Sequence, residues 1–121
     1  MDVYFHTCGY VAPILEDLVE IGVDILDLGQ IYLNDIDAVS KNLKGKVCFS
    51  QPIDYQMVGL SGTKEEIYTE AKLLLEKLFD ETGGMIAKLV DYEQLDYKAL
   101  PGNTMLTRNA FVEQDPLVNK Y

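Results

Sequence analysis

A chain of 121 residues is the size of one domain or part of one, and 48% hydrophobic with 25% charged residues is the balance of a folded chain, not of a disordered one. Twenty Asp and Glu against ten Lys and Arg leave a net charge of -10, with no Lys/Arg run, so a phosphate backbone or an anionic membrane is a poor partner. An acid at Asp2 where an export signal needs a base, and no apolar run near the ~18 residues of a spanning helix, lead to the expectation of a cytoplasmic protein. Cys8 and Cys48 are the only cysteines, too few for a disulfide framework.

In chain order, short apolar runs alternate with longer periodic ones four times. Val3-Tyr4-Phe5 predicts a strand, and Ile14, Leu15, Leu18 and Val19 predict the buried stripe of a helix that Gly22 stops. Val23 to Leu28 predicts the second strand, followed by a loop through Gly29 and Gln30 and a short helix with Asn34 as N-cap and Gly45 after its end. Val47-Cys48-Phe49 is the third strand. Thr63-Lys64-Glu65-Glu66 is a capping box, opening a helix whose buried stripe is Ile67, Ala71, Leu74, Leu75 and Leu78. Met85-Ile86-Ala87 is the fourth strand; a polar loop with Asp91 and Tyr92 leads to a helix from about Asn103 to Val112.

Four consecutive βα units over residues 1–121 build either an open doubly wound sheet or an arc of a (β/α) barrel. No Gly-x-Gly-x-x-Gly turn follows any of the strands, so within the α/β class the barrel arc is favoured. In a barrel the strand ends face one mouth, where His6, Cys8, Asp27, Gln30, Gln51, Asp54 and Asp91 would gather.

In His6-Thr7-Cys8-Gly9, residues two apart on an extended chain project to one side, so an imidazole and a thiolate can reach the same pocket. Those donors suit zinc, although a His-x-Cys pair also occurs as a packed histidine beside a small buried side chain. Asp27, Asp54 and Asp91 follow three different strands and are acid/base, ligand or substrate-binding candidates, or else caps and turn residues. Gln30 and Gln51 are neutral groups suited to orienting a ligand, or exposed surface; Cys48 reads as core; Tyr92 and Tyr97 read as a lid or an edge cover.

Strand, His-x-Cys-Gly, amphipathic helix and Gly22-Val23-Asp24-Ile25-Leu26 occur in that order, followed by Lys44-Gly45-Lys46-Val47-Cys48-Phe49, Ile53-Asp54-Tyr55-Gln56, Gly62-Thr63-Lys64-Glu65-Glu66-Ile67 and Gly83-Gly84-Met85-Ile86-Ala87. This ordered set resembles the C-terminal half of the uroporphyrinogen decarboxylase superfamily, and the resemblance implies that the four βα units form the C-terminal half of a (β/α)8 TIM-type barrel. Its two main arms are cofactor-free decarboxylases of heme synthesis and corrinoid-dependent methyltransferases that use zinc to activate a thiol. His6-Thr7-Cys8-Gly9 is similar to the methyltransferase arm, in which the His and Cys of this motif bind zinc. The resemblance implies zinc on His6 and Cys8 and a corrinoid (cobamide) on a partner protein. Asp91 stands nearest the place of that arm's further Cys, and Asp54 and Gln30 line the mouth as catalytic candidates. The alternatives are a decarboxylase-like lyase acting on a tetrapyrrole, for which Arg108 is the only Arg available, and a non-catalytic subunit that completes a partner.

A half-barrel leaves strand edges and an inner face open. Val3, Phe5, Ile25, Val47, Phe49 and Ile86 predict apolar strands, and burying roughly 800 Å2 of such surface is worth on the order of 20 kcal/mol before ordering costs. The expected partners are therefore a complementary half-barrel or a second copy of the chain.

Overall fold

The structure is a computed structural model and describes residues 1–54, 58–82, 84–89 and 102–116. Its strands are β1 (Tyr4–Thr7), β2 (Ile25–Leu28), β3 (Cys48–Gln51) and β4 (Met85–Ala87). They form one sheet in the order β1-β2-β3-β4, with β1 parallel to β2 and β2 parallel to β3. The helices are α1 (Leu15–Glu20), α2 (Ile36–Leu43), α3 (Val58–Ser61), α4 (Lys64–Leu78) and α5 (Asn103–Glu113). Sequential strands that are also neighbours, each pair linked by a helical connection, are what repeated βα units produce. An α/β architecture with a four-stranded parallel sheet is thus established.

Packing divides the chain into two compact units, one of Met1–Gln51 with Glu76–Ile86 and one of Pro52–Leu75 with Ala87–Tyr121. In the first unit the core is built on β2 and β3: Leu26, Leu28, Val47 and Phe49 are buried. The Gly45 turn is closed by Thr82, whose hydroxyl donates to the Gly45 carbonyl at 3.3 Å, and Gly45 takes a left-handed φ of 83° that favours glycine. In the second unit Asn103, at the start of α5, donates from its buried amide to the carbonyls of Gly59 (3.1 Å) and Gly62 (3.2 Å), tying α5 to the end of α3. Gly62 is required there, because a β-carbon would lie 2.4 Å from the Val58 carbonyl oxygen.

The capping box forms: the Glu66 amide donates to the Thr63 hydroxyl at 3.2 Å and the Thr63 amide to the Glu66 carboxylate at 3.3 Å. Ile67, Ala71, Leu74 and Leu78 of α4 are fully buried, and Leu75 is half-buried at the stripe's margin. Two expectations are corrected. The N-cap of α2 is Asp35, whose carboxylate accepts from the Ala38 amide, and not Asn34, whose side chain is engaged elsewhere. The stripe ahead of Gly22 is narrower than its periodicity implies, since only Leu15 is buried and Ile14 is 45% exposed. Pro13 lies in a 3-10 turn, Ala12–Ile14, whose three-residue period shifts the phase before the helix begins. The single-turn α3 has no periodic signal, being one turn of Val-Gly-Leu-Ser.

Candidate functional site

The site grows from the register of β1 on β2, where Tyr4 lies opposite Ile25 and His6 opposite Asp27. Alternate residues share a sheet face, so Tyr4 and His6 lie on one side with Asp27 beside them. His6 Nδ1 lies 3.3 Å from Asp27 Oδ2, the imidazole side chain being 50% and the carboxylate side chain 2% exposed. The same oxygen accepts a hydrogen bond from the Tyr4 hydroxyl, which also stands 3.2 Å from Ser50 Oγ on β3. The contact sets the Nδ1 edge of the imidazole against Asp27 and turns its Nε2 edge toward Cys8.

Cys8 Sγ stands 3.8 Å from His6 Nε2, so the extended chain does bring the two donors to one place. Zinc holds an imidazole nitrogen at about 2.0–2.1 Å and a thiolate at about 2.3 Å, and two such ligands at a tetrahedral angle stand about 3.6 Å apart. The separation and the donor types fit two zinc ligands, with Asp27 in the place of the carboxylate that commonly backs a zinc-bound histidine. Among the described residues no group of three or more His, Cys, Asp or Glu side chains forms a cation site. Asp91, the candidate third ligand, lies outside the described residues, as do Tyr92 and Tyr97.

The turn after the motif is held from below. Gly9 has a φ of 84°, which a residue with a β-carbon adopts only under strain. Gln30 Oε1 accepts from the Gly9 amide at 2.7 Å. Asn34 donates from Nδ2 to the carbonyls of Gly9 and Gln30, each at 3.0 Å, and accepts at Oδ1 from the Val11 amide at 2.6 Å. The carboxamides of Gln30 and Asn34 thus clamp residues 9–11 and fix where Cys8 can go. Gln30 has this local work in addition to any contact with a ligand.

Of the other candidates, Gln51 is buried at the end of β3, and Asp54 belongs to the second unit, where its amide donates to Glu70 Oε2 at 2.7 Å. Cys48 is half-buried, and burial pushes its thiol pKa up, a hydrogen bond from the Ile86 backbone opposing the shift. Tyr4, Ser50 and Asn34 are site residues that sequence reasoning missed. The two-residue period that aligns His6 with Cys8 also aligns Tyr4 with His6, a signal present in the sequence; the parts played by Ser50 and Asn34 depend on pairing across strands and turns.

No family model, curated protein or solved structure matches the chain. No helix among the described residues is long and apolar enough to cross a membrane.

Proposed function

We propose that this chain supplies the C-terminal half of a uroporphyrinogen-decarboxylase-type (β/α)8 barrel, and that the completed barrel passes a methyl group from a corrinoid on a partner protein to a zinc-activated thiol. The observation that carries the reading is the convergence of His6 Nε2 and Cys8 Sγ to 3.8 Å with Asp27 behind the imidazole. His6 and Cys8 would hold zinc, with Asp91 as the third protein ligand. Zinc bound there would lower the pKa of an acceptor thiol and stabilise the thiolate at neutral pH.

The chain's own groups do the rest. Asp27 holds the His6 ring in place, and Gln30 and Asn34 fix the loop that carries Cys8. The half-exposed imidazole leaves an approach for a small thiol. Asp54 is the group we assign to the mouth of the completed barrel.

The sheet supports the half-barrel part of the reading. Its order is sequential, as in a barrel arc, and its outer edges carry apolar groups in water: Val3, just ahead of β1, is 44% and Ile86 of β4 46% exposed. Four more βα units, from a complementary half or a second copy, would cover them.

Zinc content of the purified protein under reducing conditions tests the site. We expect close to one equivalent in the intact chain and a large loss in His6→Ala; less than about a tenth of an equivalent in the intact chain would overturn the zinc reading.

A further inference from the structure

We propose that Asp27 is the positioning residue of the His6–Cys8 pair, and that Tyr4 and Ser50 hold Asp27 in place, so that three adjacent strands form a second layer behind the metal ligands. This rests on the zinc reading above and adds a role that the motif His6-Thr7-Cys8-Gly9 does not contain.

Asp27 is 1% exposed on a strand flanked on both sides, and a carboxylate taken out of water is costly unless its oxygens are engaged. Its Oδ2 accepts from the Tyr4 hydroxyl and lies 3.3 Å from His6 Nδ1. The Tyr4 hydroxyl lies 3.2 Å from Ser50 Oγ, and Ser50 is buried. Tyr4 and His6 come from β1, Asp27 from β2 and Ser50 from β3, so each group is placed by sheet register and not by a loop.

The consequence is directional. With Nδ1 held beside Asp27, Nε2 is turned toward Cys8 Sγ, the orientation in which both donors can reach one metal ion. Without Asp27 the ring can rotate, and each binding event must first select the competent orientation. His6 is half-exposed, so it has little packing of its own to keep it oriented. Tyr4 and Ser50 act one step further back, through Asp27.

The test is cobalt(II) titration of the intact chain under reducing conditions, reading the near-ultraviolet band of a cobalt–thiolate bond and then its displacement by zinc. In Asp27→Asn, a change of nearly equal volume, cobalt affinity should fall roughly tenfold or more while the thiolate band persists, because Cys8 still ligates. Asp37→Asn removes the same charge from an exposed residue and should bind as the unaltered chain does. Tyr4→Phe should weaken binding by a smaller factor, and it carries the test alone if Asp27→Asn fails to fold. Unchanged affinity in Asp27→Asn, equal losses in Asp27→Asn and Asp37→Asn, or, where only Tyr4→Phe folds, no loss in that variant would each overturn the inference while leaving the zinc reading intact. An unaltered chain with no thiolate band would overturn both.

Discussion

β1 and its neighbours β2 and β3 are strands of equal length with opposite surroundings. Along β1 the residues alternate between exposed and half-buried, whereas β2 and β3 each have one half-buried residue followed by three buried ones. The candidate ligand His6 sits on the exposed outer strand, while Asp27 and Ser50, which steady it directly or through Tyr4, sit on the buried ones. The division is physically sensible: a ligand must be reachable, but its orientation is best supplied by groups whose own rotamers are locked. A ligand at an open edge is therefore compatible with a rigid site because Asp27 and Ser50 lie in the core.

The largest expected effect that would break this contrast is on stability. Phe49, fully buried on β3, should cost about 3–5 kcal/mol when replaced by Ala, against about 1–2 kcal/mol for the half-buried Phe5 of β1. Urea unfolding of the two variants checks it, and equal losses would mean that the outer strand is as well packed as the inner one.

Next is the loop clamp. Asn34→Ala strands the Val11 amide and the Gly9 and Gln30 carbonyls, and should cost about 1–3 kcal/mol in the same assay. It should also weaken zinc retention, since Cys8 lies next to the clamped turn. A loss of stability with zinc held as tightly as before would separate the clamp from the site.

The two cysteines give the smallest effect and the sharpest contrast. Cys8 is exposed, whereas Cys48 is half-buried with its thiol pushed up by burial. In metal-free protein at mildly alkaline pH, mass spectrometry should find iodoacetamide on Cys8 well before Cys48. The raised pKa means that folding favours the neutral Cys48 thiol. Its contribution to stability is therefore present below the ordinary thiol range and declines as pH rises through the folded value, a decline that Cys48→Ala should remove. Simultaneous labelling would show that β3 is open.

How much of this was legible in the sequence follows from which interactions are local. The capping box Thr63–Glu66 and the stripe of Ile67, Ala71, Leu74 and Leu78 lie within one helix, and periodicity finds them. The approach of His6 to Cys8 follows from strand period, as does the shared side of Tyr4. Asn34 reads as a cap because Asn before acids usually is one, yet it reaches back to residues more than twenty positions earlier, and nothing in its neighbourhood announces that. Asp27 could be nominated from its place near a strand end, but its pairing with His6 required the register of β1 on β2.

The outer strands leave one central claim, that these four strands are half of a closed barrel. Light scattering after size exclusion, across a dilution series of the intact chain, tests it most directly. The account predicts an assembly of two copies, about twice the 13.6 kDa of one chain, or an aggregating species when no complementary half is present. A sharply melting monomer that persists at low micromolar concentration would contradict it.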